Sequence, residues 1–423
     1  MKLWVLILGV VLVSGPAFAD ARQIDEYQWE GVERIVAVGD LHGDYGNYLA
    51  TLRAAGLIDR KDKWAGGNTH LVQTGDIPDR GPDTLKIIEH ISKLARQAER
   101  KGGRVHSLIG NHEAMNMYGD LRYVHEGEYA AFVTRNSEVL RDRYYELYLQ
   151  ALSTQDPEGF AGLPENYREQ WNLEHPLGWV EHRQAWDPTL KAEGEYARWV
   201  LDRKVAIRIN DTLFLHGGIS GFYCRNALDW ITERVMAGLK NYDPAAPGII
   251  EDEFGPLWYR GLSGVEPEAA AETVDAILAH HRVARIVVGH TPTSGVIWPQ
   301  YGGRVVMIDT GIANAYGGHV GYLEISPAGL FAGYPEGRLP LPADGDELTA
   351  YLEEVIRMAP DNPYLKQRLQ RLQQAAEPTS ELQAEADQAE ADQAKADEAG
   401  GTAAEQAGSE AAPVVVPICG TAQ

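Results

Sequence analysis

The sequence predicts an α/β fold with a mainly parallel sheet in its first half. Three β-branched, apolar runs, at 32–40, 69–76 and 104–111, each end in Gly-Asp or Gly-Asn. Segments with helical spacing follow the first two runs, at 47–58 and 82–103. Strands that alternate with helices are typical of a parallel sheet flanked by helices.

Further short β-rich runs follow residue 203 and predict a second sheet, at 204–209, 212–218, 285–290, 304–311 and 321–325. Between the two groups, about residues 125–200 are rich in Tyr, Trp, Arg and Glu and lack buried-strand runs, so we expect a helical insertion there. The catalytic domain is thus expected to span 30–345. A charged helical segment is expected at 346–374.

The remaining residues, 375–423, form an Ala/Glu/Gln-rich tail. Its units AEADQ, AEADQ and AKADE, from Ala384 to Glu398, repeat every five residues. Without large apolar side chains such a segment cannot form a core, so we expect a disordered or transiently helical tail. Between Glu377 and Glu410 it carries ten acidic residues and one lysine.

The whole chain of 423 residues has a net charge of −23 and is 44% hydrophobic. That length and composition suffice for a large core. An acidic chain repels a phosphate backbone, so nucleic acid is not expected as a partner. An anionic substrate must therefore find its positive charge locally, in metal ions or a few arginines.

Residues 1–19 have the pattern of a cleaved signal peptide. Lys2 precedes an apolar run from Leu3 to Val13, and Ala17–Ala19 has the small-x-small form of a cleavage site. An uncleaved anchor is the alternative, but the run is shorter than the roughly 20 residues of a membrane span. We therefore expect a periplasmic or secreted protein that begins near Asp20, without a stable membrane span. Cys224 and Cys419 can form a disulfide in such a compartment or remain free thiols, and the sequence leaves both open.

Five polar clusters stand at the ends of predicted strands: Gly39–Asp44, Gly75–Gly81, Gly110–Glu113, Leu215–Gly218 and Val288–Thr291. Sites in open α/β sheets form at the carboxyl ends of strands, so we expect these clusters to converge. A single Asp in such a place is usually a turn or cap residue, and a single His is usually part of the core. Five clusters of metal-ligand type at five strand ends favour a site instead.

The residue types suit two divalent metal ions that share Asp76. One ion would take Asp40, His42 and Asp76, and the other would take Asp76, Asn111, His216 and His290. Mixed carboxylate, imidazole and amide ligands suit Mn, Fe or Zn, and we expect Mn to serve in vitro. Two ions roughly 3.5–4 Å apart can clamp an in-line displacement.

Other residues of the clusters suit the chemistry around these ions. His112 is placed to act as a general acid, and Asp79 to hold its ring. We expect Arg80 and Arg260 to bind substrate phosphate, because a guanidinium contacts two phosphate oxygens at once. Asn111 is expected to bind the phosphate as well. The remaining histidines, His70 and His106 among them, are expected to be structural.

These motifs resemble the calcineurin-like metallophosphoesterases. GDIPDRG and GNHE are closest to the phosphoprotein phosphatase branch, and Gly110–Val124 resembles the Shewanella-like protein phosphatases of bacteria and plants. The resemblance covers about 32–325. It implies a four-layer α/β/β/α sandwich, the ligand set named above, and hydrolysis of phosphomonoesters by direct in-line attack of dimetal-activated hydroxide.

The resemblance also implies a phosphoprotein or phosphopeptide substrate, phosphotyrosine included. An alternative is a small-molecule phosphatase or dinucleotide polyphosphate hydrolase, because VGHT at Val288–Thr291 is more typical of bacterial enzymes of that kind. A third hypothesis is a non-catalytic binding protein. The complete set of predicted metal-ligand positions argues against it. The oligomeric state stays open.

Overall fold

The computed structural model describes residues 21–264, 271–343, 345–376 and Cys419. Within them, strands form two sheets. In chain order the strands are β1 (Arg22–Gln23), β2 (Gln28–Glu30), β3 (Ile35–Val38), β4 (His70–Gln73), β5 (Arg104–Ser107), β6 (Ala206–Ile209), β7 (Thr212–Leu215), β8 (Arg285–Val288), β9 (Trp298–Gln300), β10 (Val305–Met307), β11 (Tyr322–Ser326), β12 (Gly329–Tyr334) and β13 (Gly337–Pro340).

The α-helices of the described residues include those predicted at 47–58, in the 82–103 and 346–374 segments and in the insertion, whereas the helices at 111–118 and 228–240 were not predicted. In chain order the α-helices are α1 (Tyr45–Ala54), α2 (Thr84–Glu99), α3 (Asn111–Tyr118), α4 (Glu126–Ala131), α5 (Ser137–Gln155), α6 (Pro157–Ala161), α7 (Tyr167–Glu174), α8 (Trp179–Trp186), α9 (Glu195–Leu201), α10 (Leu228–Lys240), α11 (Ala271–His281), α12 (Gly345–Met358) and α13 (Pro363–Ala376).

The first sheet has the strand order β13-β12-β11-β3-β4-β5. β3, β4 and β5 are parallel, as expected, so the residues that follow them share one edge. β11 pairs antiparallel with β3, although we expected the run at 321–325 in the second sheet. That expectation was wrong because a short alternating run indicates a strand but does not determine which edge it joins.

The second sheet has the order β1-β2-β6-β7-β8-β10-β9. β7, β8 and β10 are parallel neighbours, so their carboxyl ends also share an edge. Val36 of the first sheet and Ile207 of the second belong to one apolar core, and both are almost fully buried. α2 packs against this core through Ile87, Ile91 and Leu94, whose spacing in the sequence places them on one face of the helix.

The two sheets with their helices make a mixed α/β fold, as the sequence predicts. The insertion from α4 to α9 adds a second, smaller core around Tyr129, Trp179 and Val180. None of the helices in the described residues has both the length and the apolar character needed to cross a bilayer.

The C-terminal part of the chain is held to the body by hydrogen bonds, by apolar packing and by a disulfide. Between α12 and α13, the Asn362 side-chain amide donates to the carbonyl of Ser294 at 2.8 Å. Cys224 and Cys419 form a disulfide, with their Cα atoms 5.8 Å apart. The predicted signal peptide (1–19) lies outside the described residues, and so does the predicted tail (375–423) except for the end of α13 and Cys419.

Candidate active site

The predicted ligands come together where the parallel strands of both sheets end. Asp40, Asp76 and Asn111 follow β3, β4 and β5, and His216 and His290 follow β7 and β8. Ten non-glycine residues of the described part have a positive φ, and five of them are predicted site residues: His42, Asp76, Asp79, Arg80 and His290. Such backbone costs about 1–3 kcal/mol per residue and concentrates at functional sites.

Glycines beside the ligands allow their close approach. A Cβ at Gly110 would lie 2.2 Å from Oδ1 of Asp76 and 2.7 Å from the His216 ring. A Cβ at Gly289 would lie 2.5 Å from a carboxylate oxygen of Asp40. Any larger residue at either position would push the predicted ligands apart, so the glycines in these motifs are steric requirements of the site.

Each of three histidines has one ring nitrogen occupied by a backbone carbonyl. The Nδ1–H of His42 donates to Pro78 O (3.2 Å), and that of His216 donates to Thr74 O (3.0 Å). The Nε2–H of His290 donates to Trp258 O (3.1 Å). Because the proton of a neutral imidazole is used there, the other nitrogen presents a lone pair to the centre of the cluster.

These lone pairs meet other acceptors at short range. Nε2 of His216 lies 3.0 Å from Nδ1 of His290, 3.0 Å from Oδ1 of Asn111 and 3.3 Å from Oδ2 of Asp76. Four acceptors so close together repel one another unless a cation lies among them. The donor set therefore fits a divalent metal ion.

Oδ2 of Asp76 also faces the second predicted set. It lies 3.9 Å from Nε2 of His42, which is itself 4.0 Å from a carboxylate oxygen of Asp40. Oδ1 of Asp76 accepts instead from the backbone N–H of His112 at 3.0 Å. Asp76 thus offers one oxygen to both sets, as the prediction of a shared ligand requires.

Burial and charge keep these groups in ligand form. Burial lowers the pKa of His42 to about 4 and that of His290 well below its usual value, so both rings are neutral at pH 7. Burial opposes ionisation of Asp76, but the imidazoles of His216 and His112 hold its pKa well below the usual value. Burial and the neighbouring Asp309 and Asp76 raise the pKa of Asp40 far above its usual value, which indicates that this carboxylate needs a cation.

His112 is the exception among the buried rings. Its Nδ1–H donates to Oδ2 of Asp79 at 2.5 Å. Although burial opposes protonation, the charges of Asp76 and Asp79 raise the pKa of His112 to about 9. The ring is therefore a cation at neutral pH, with an Nε2–H available to a leaving group, as a general acid requires.

A comparison with protein-family models decides the family. Residues 33–294 match the calcineurin-like phosphoesterase model. The chain belongs to this family. It is a metal-dependent phosphoesterase. Two groups of its side chains lie close enough together to hold a metal ion, one made of His42, Asp76 and His112 and the other of Asp76, His216 and His290.

Relatives of this phosphoesterase align over most of their length. An uncharacterized protein of Schizosaccharomyces pombe is 33% identical over 69% of this chain and 77% of its own. Shewanella-like protein phosphatase 2 of Arabidopsis thaliana is 30% identical over 72% of this chain and 77% of its own. The crystal structure of a cold-active protein tyrosine phosphatase of a Shewanella species has a TM-score of 0.55 at 28% identity, covering 76% of this chain and 83% of the other.

The predicted phosphate-binding arginines of the phosphoesterase lie on two sides of the cluster. Cζ of Arg80 lies 3.9 Å from the ring centroid of Tyr123, and Nε of Arg80 has no hydrogen-bond partner within the described residues. A guanidinium held by stacking keeps its N–H groups for an anion. Arg260 donates to the carbonyl of His290 at 2.7 Å, which places its guanidinium beside the second ligand set.

Sequence reasoning missed several residues that shape this site. Asn116 donates from Nδ2 to Oδ1 of Asp79 at 3.0 Å and so holds the partner of His112. Its position four residues after His112 on α3 could have revealed it. Tyr123 and Tyr316 flank the cluster, with ring centroids 5.3 Å from His112 and 5.0 Å from His42. No local pattern distinguishes these tyrosines from others in the chain.

Glu113 has a structural role at this edge. It is fully buried, and its carboxylate accepts from the backbone N–H groups of Gly110 (2.7 Å), Asp76 (3.0 Å) and Ile77 (2.8 Å). It therefore ties the loop after β4 to the start of α3. Asp309, which follows β10, is buried at the same edge, and burial raises its pKa to about 6.

Proposed function

We propose that this phosphoesterase is an exported phosphoprotein phosphatase that hydrolyses phosphomonoesters on Ser, Thr or Tyr side chains. The observation that carries the proposal is the protonated His112 beside the acceptor-only cluster. A monoester needs both a cationic site for its phosphoryl oxygens and a proton for its leaving oxygen. Asp76 links the two features, because its Oδ2 belongs to the acceptor cluster and its Oδ1 accepts from the backbone N–H of His112.

The residues of the site have different roles in the proposed reaction. Asp40, His42 and Asp76 would hold one divalent ion, and Asp76, Asn111, His216 and His290 the other. Two such ions supply Lewis acidity to the phosphoryl group and the attacking water. Arg80 and Arg260, with the amide of Asn111, bind phosphate oxygens, and His112 holds on Nε2 the proton that the leaving oxygen takes. Asp79 keeps the His112 ring oriented and charged.

The choice of a protein substrate is supported by two relatives whose descriptions name protein phosphatases, one of them a protein tyrosine phosphatase. The rings of Tyr123, beside the general acid His112, and Tyr316, beside the predicted ligand His42, suit an aromatic leaving group. We further propose Mn²⁺ as the ion that supports activity in vitro, since carboxylate, imidazole and amide ligands occur together.

A substrate panel tests the activity. Purified protein stripped with a chelator should be inactive on a tyrosine phosphopeptide and on p-nitrophenyl phosphate, and Mn²⁺ should restore turnover of both. Diadenosine tetraphosphate should be a much poorer substrate than the phosphopeptide. Faster cleavage of the dinucleotide would overturn the protein substrate, and turnover without metal would overturn the site assignment.

Export is supported by the signal pattern at 1–19, and the Cys224–Cys419 disulfide is consistent with an oxidising compartment. We expect the full chain, expressed in a Gram-negative host, to be recovered from the periplasm or medium with Asp20 as its first residue. Mass spectrometry of the intact protein measures this directly. A cytoplasmic product that retains residues 1–19 would overturn the proposal.

A further inference from the structure

A cavity of about 770 Å³ lies between α2, α9 and the C-terminal end of α10. We propose that it is a second anion site, which binds a small molecule carrying two or more phosphate groups. Its volume falls in the range of small-molecule sites. The proposal stands apart from the proposed function, because no residue of this cavity belongs to the predicted catalytic or metal-binding set.

The cavity carries the opposite charge from the chain as a whole. Cationic side chains reach it from three separate elements, whereas the net charge of the chain is −23. The cations are Lys93 and Arg96 of α2, Arg198 of α9, Arg203 after it and Lys240 of α10; the acids are Glu89, Glu195 and Asp202. A positive concavity on an acidic protein concentrates anions.

Most of these cations are available to a ligand. Within the described residues, Arg96, Arg198 and Lys240 form no ion pair with a carboxylate. Arg198 donates from Nη1 to Lys191 O at 2.6 Å, which leaves its other N–H groups for a ligand. Lys93 pairs with Glu89 at 3.3 Å, on the surface. A ligand would therefore displace water from these cations rather than break strong ion pairs.

Arg203 is a cation of this cavity that contacts within the chain hold in place. Its side chain is only 27% exposed, its Nε donates to Trp199 O at 3.1 Å, and its Cζ lies 5.0 Å from the Trp199 ring centroid. Its one carboxylate neighbour, Asp202, is 4.0 Å away and 84% exposed. Burial lowers the pKa of Arg203, so its charge is poorly compensated in the folded chain. A half-buried, fixed guanidinium of this kind is suited to bind phosphate.

The cavity is distinct from the catalytic edge. α2 begins at Thr84, directly after the loop of Asp79 and Arg80, and Ser92 of the cavity lies roughly 12 Å further along the helix axis. Three elements that each supply a cation can contact several phosphate oxygens at once. This geometry favours a ligand with two or more phosphates over a single phosphate ion.

Calorimetry with tripolyphosphate tests the proposal on the full-length, chelator-treated chain. We expect saturable binding by the unaltered chain. The double variant Arg198→Glu/Lys240→Glu should bind at least about tenfold more weakly, because two attractive contacts become repulsive. The matched control Lys61→Glu/Lys366→Glu makes the same charge change at exposed lysines outside the cavity and should bind within about twofold of the unaltered chain.

Two further variants separate the explanations. Arg96→Gln, a milder change, should also weaken binding if the double variant fails to fold, which circular dichroism would show. Arg80→Ala should leave binding intact, because it alters the catalytic edge only. Absence of saturable binding, equal weakening in the Lys61/Lys366 control, or loss of binding in Arg80→Ala would each overturn the proposal.

Discussion

Two pairs of buried histidines have almost the same spacing and very different surroundings. Nε2 of His216 lies 3.0 Å from Nδ1 of His290 at the catalytic edge, and Nε2 of His106 lies 3.1 Å from Nδ1 of His70 inside the first sheet. In the first pair, backbone carbonyls occupy the remaining nitrogens and Asp76 and Asn111 add further acceptors. The second pair packs against Trp29 and has a simple hydrogen bond between its rings.

The difference shows that a histidine becomes a ligand through its second nitrogen. Where that nitrogen is already bonded, the ring cannot satisfy its neighbour by donating a proton, and a cation must do so. In His70 and His106 no backbone carbonyl fixes the position of the ring proton. One ring therefore donates to the other, and no cation is needed between them. Burial and spacing alone do not distinguish the two cases.

The largest expected effect is a loss of kcat, and it distinguishes the catalytic ring of His112 from the structural ring of His106. His112→Ala should lower kcat on p-nitrophenyl phosphate by about 10²- to 10⁴-fold, because the leaving oxygen loses its proton donor. Metal content, measured by plasma mass spectrometry, should not change. His106→Ala is the matched control and should lower the melting temperature while kcat per folded molecule stays near the original. A fully active His112→Ala enzyme would contradict the assigned role.

The second effect is a loss of stability in acid. Burial lowers the pKa of His70 to about 4 and that of His106 well below its usual value. The unfolded chain, with histidine pKa values near 6.5, takes up protons first as the pH falls. The stabilisation is therefore complete above about pH 6.5 and is lost toward pH 4, by an amount on the order of 3 kcal/mol for His70.

Urea unfolding between pH 7 and pH 4.5 measures this loss. His70→Gln/His106→Leu should show a shallower pH dependence, because the titrating pair is gone. Since His42 and His290 also resist protonation, both proteins should be compared with and without Mn²⁺. An unchanged slope in the double variant would assign the acid sensitivity to the catalytic edge instead.

A smaller effect is expected from the residue that holds Asp79. Asn116→Ala removes the hydrogen bond from Nδ2 to Oδ1 of Asp79 and should lower kcat by about tenfold, with KM unchanged. Asn47→Ala is the matched control, since Asn47 donates to the carboxylate of Asp44, to which no role in the reaction is assigned. It should reduce stability and leave kcat intact. Equal loss of kcat in both variants would make Asn116 merely structural.

The smallest effect concerns the stacking partner of Arg80. Tyr123→Ala should raise KM for phosphopeptide by about three- to tenfold, with little change in kcat, because the guanidinium loses its cation–π contact. Tyr123→Phe keeps the ring and should restore the original KM. If Phe fails to restore it, the hydroxyl group rather than the stacking is what matters at this position.

Much of this architecture follows from local sequence. β-branched runs that end in Gly-Asp, Gly-Asn or Gly-His indicate strands with acceptors at their carboxyl ends, and parallel pairing brings such ends together. The ligands Asp40, His42, Asp76, Asn111, His216 and His290 were all predicted in this way, as was the pair of His112 and Asp79. The helical insertion was predicted from the lack of strand runs.

Other features depend on contacts between residues far apart in sequence. Local pattern does not show that β11 joins β3, that Tyr123 stacks on Arg80, or that Cys224 pairs with Cys419 across 195 residues. Each of these depends on which surfaces meet after the chain has collapsed.

The sequence by itself thus determined the strands, their polar ends and the kinds of ligand that they carry, because burial and turn formation act over a few residues. The tertiary structure decided which nitrogen of each histidine is bonded and which is left for a metal ion. That choice depends on carbonyls of Thr74, Pro78 and Trp258, which only the folded chain brings to the rings.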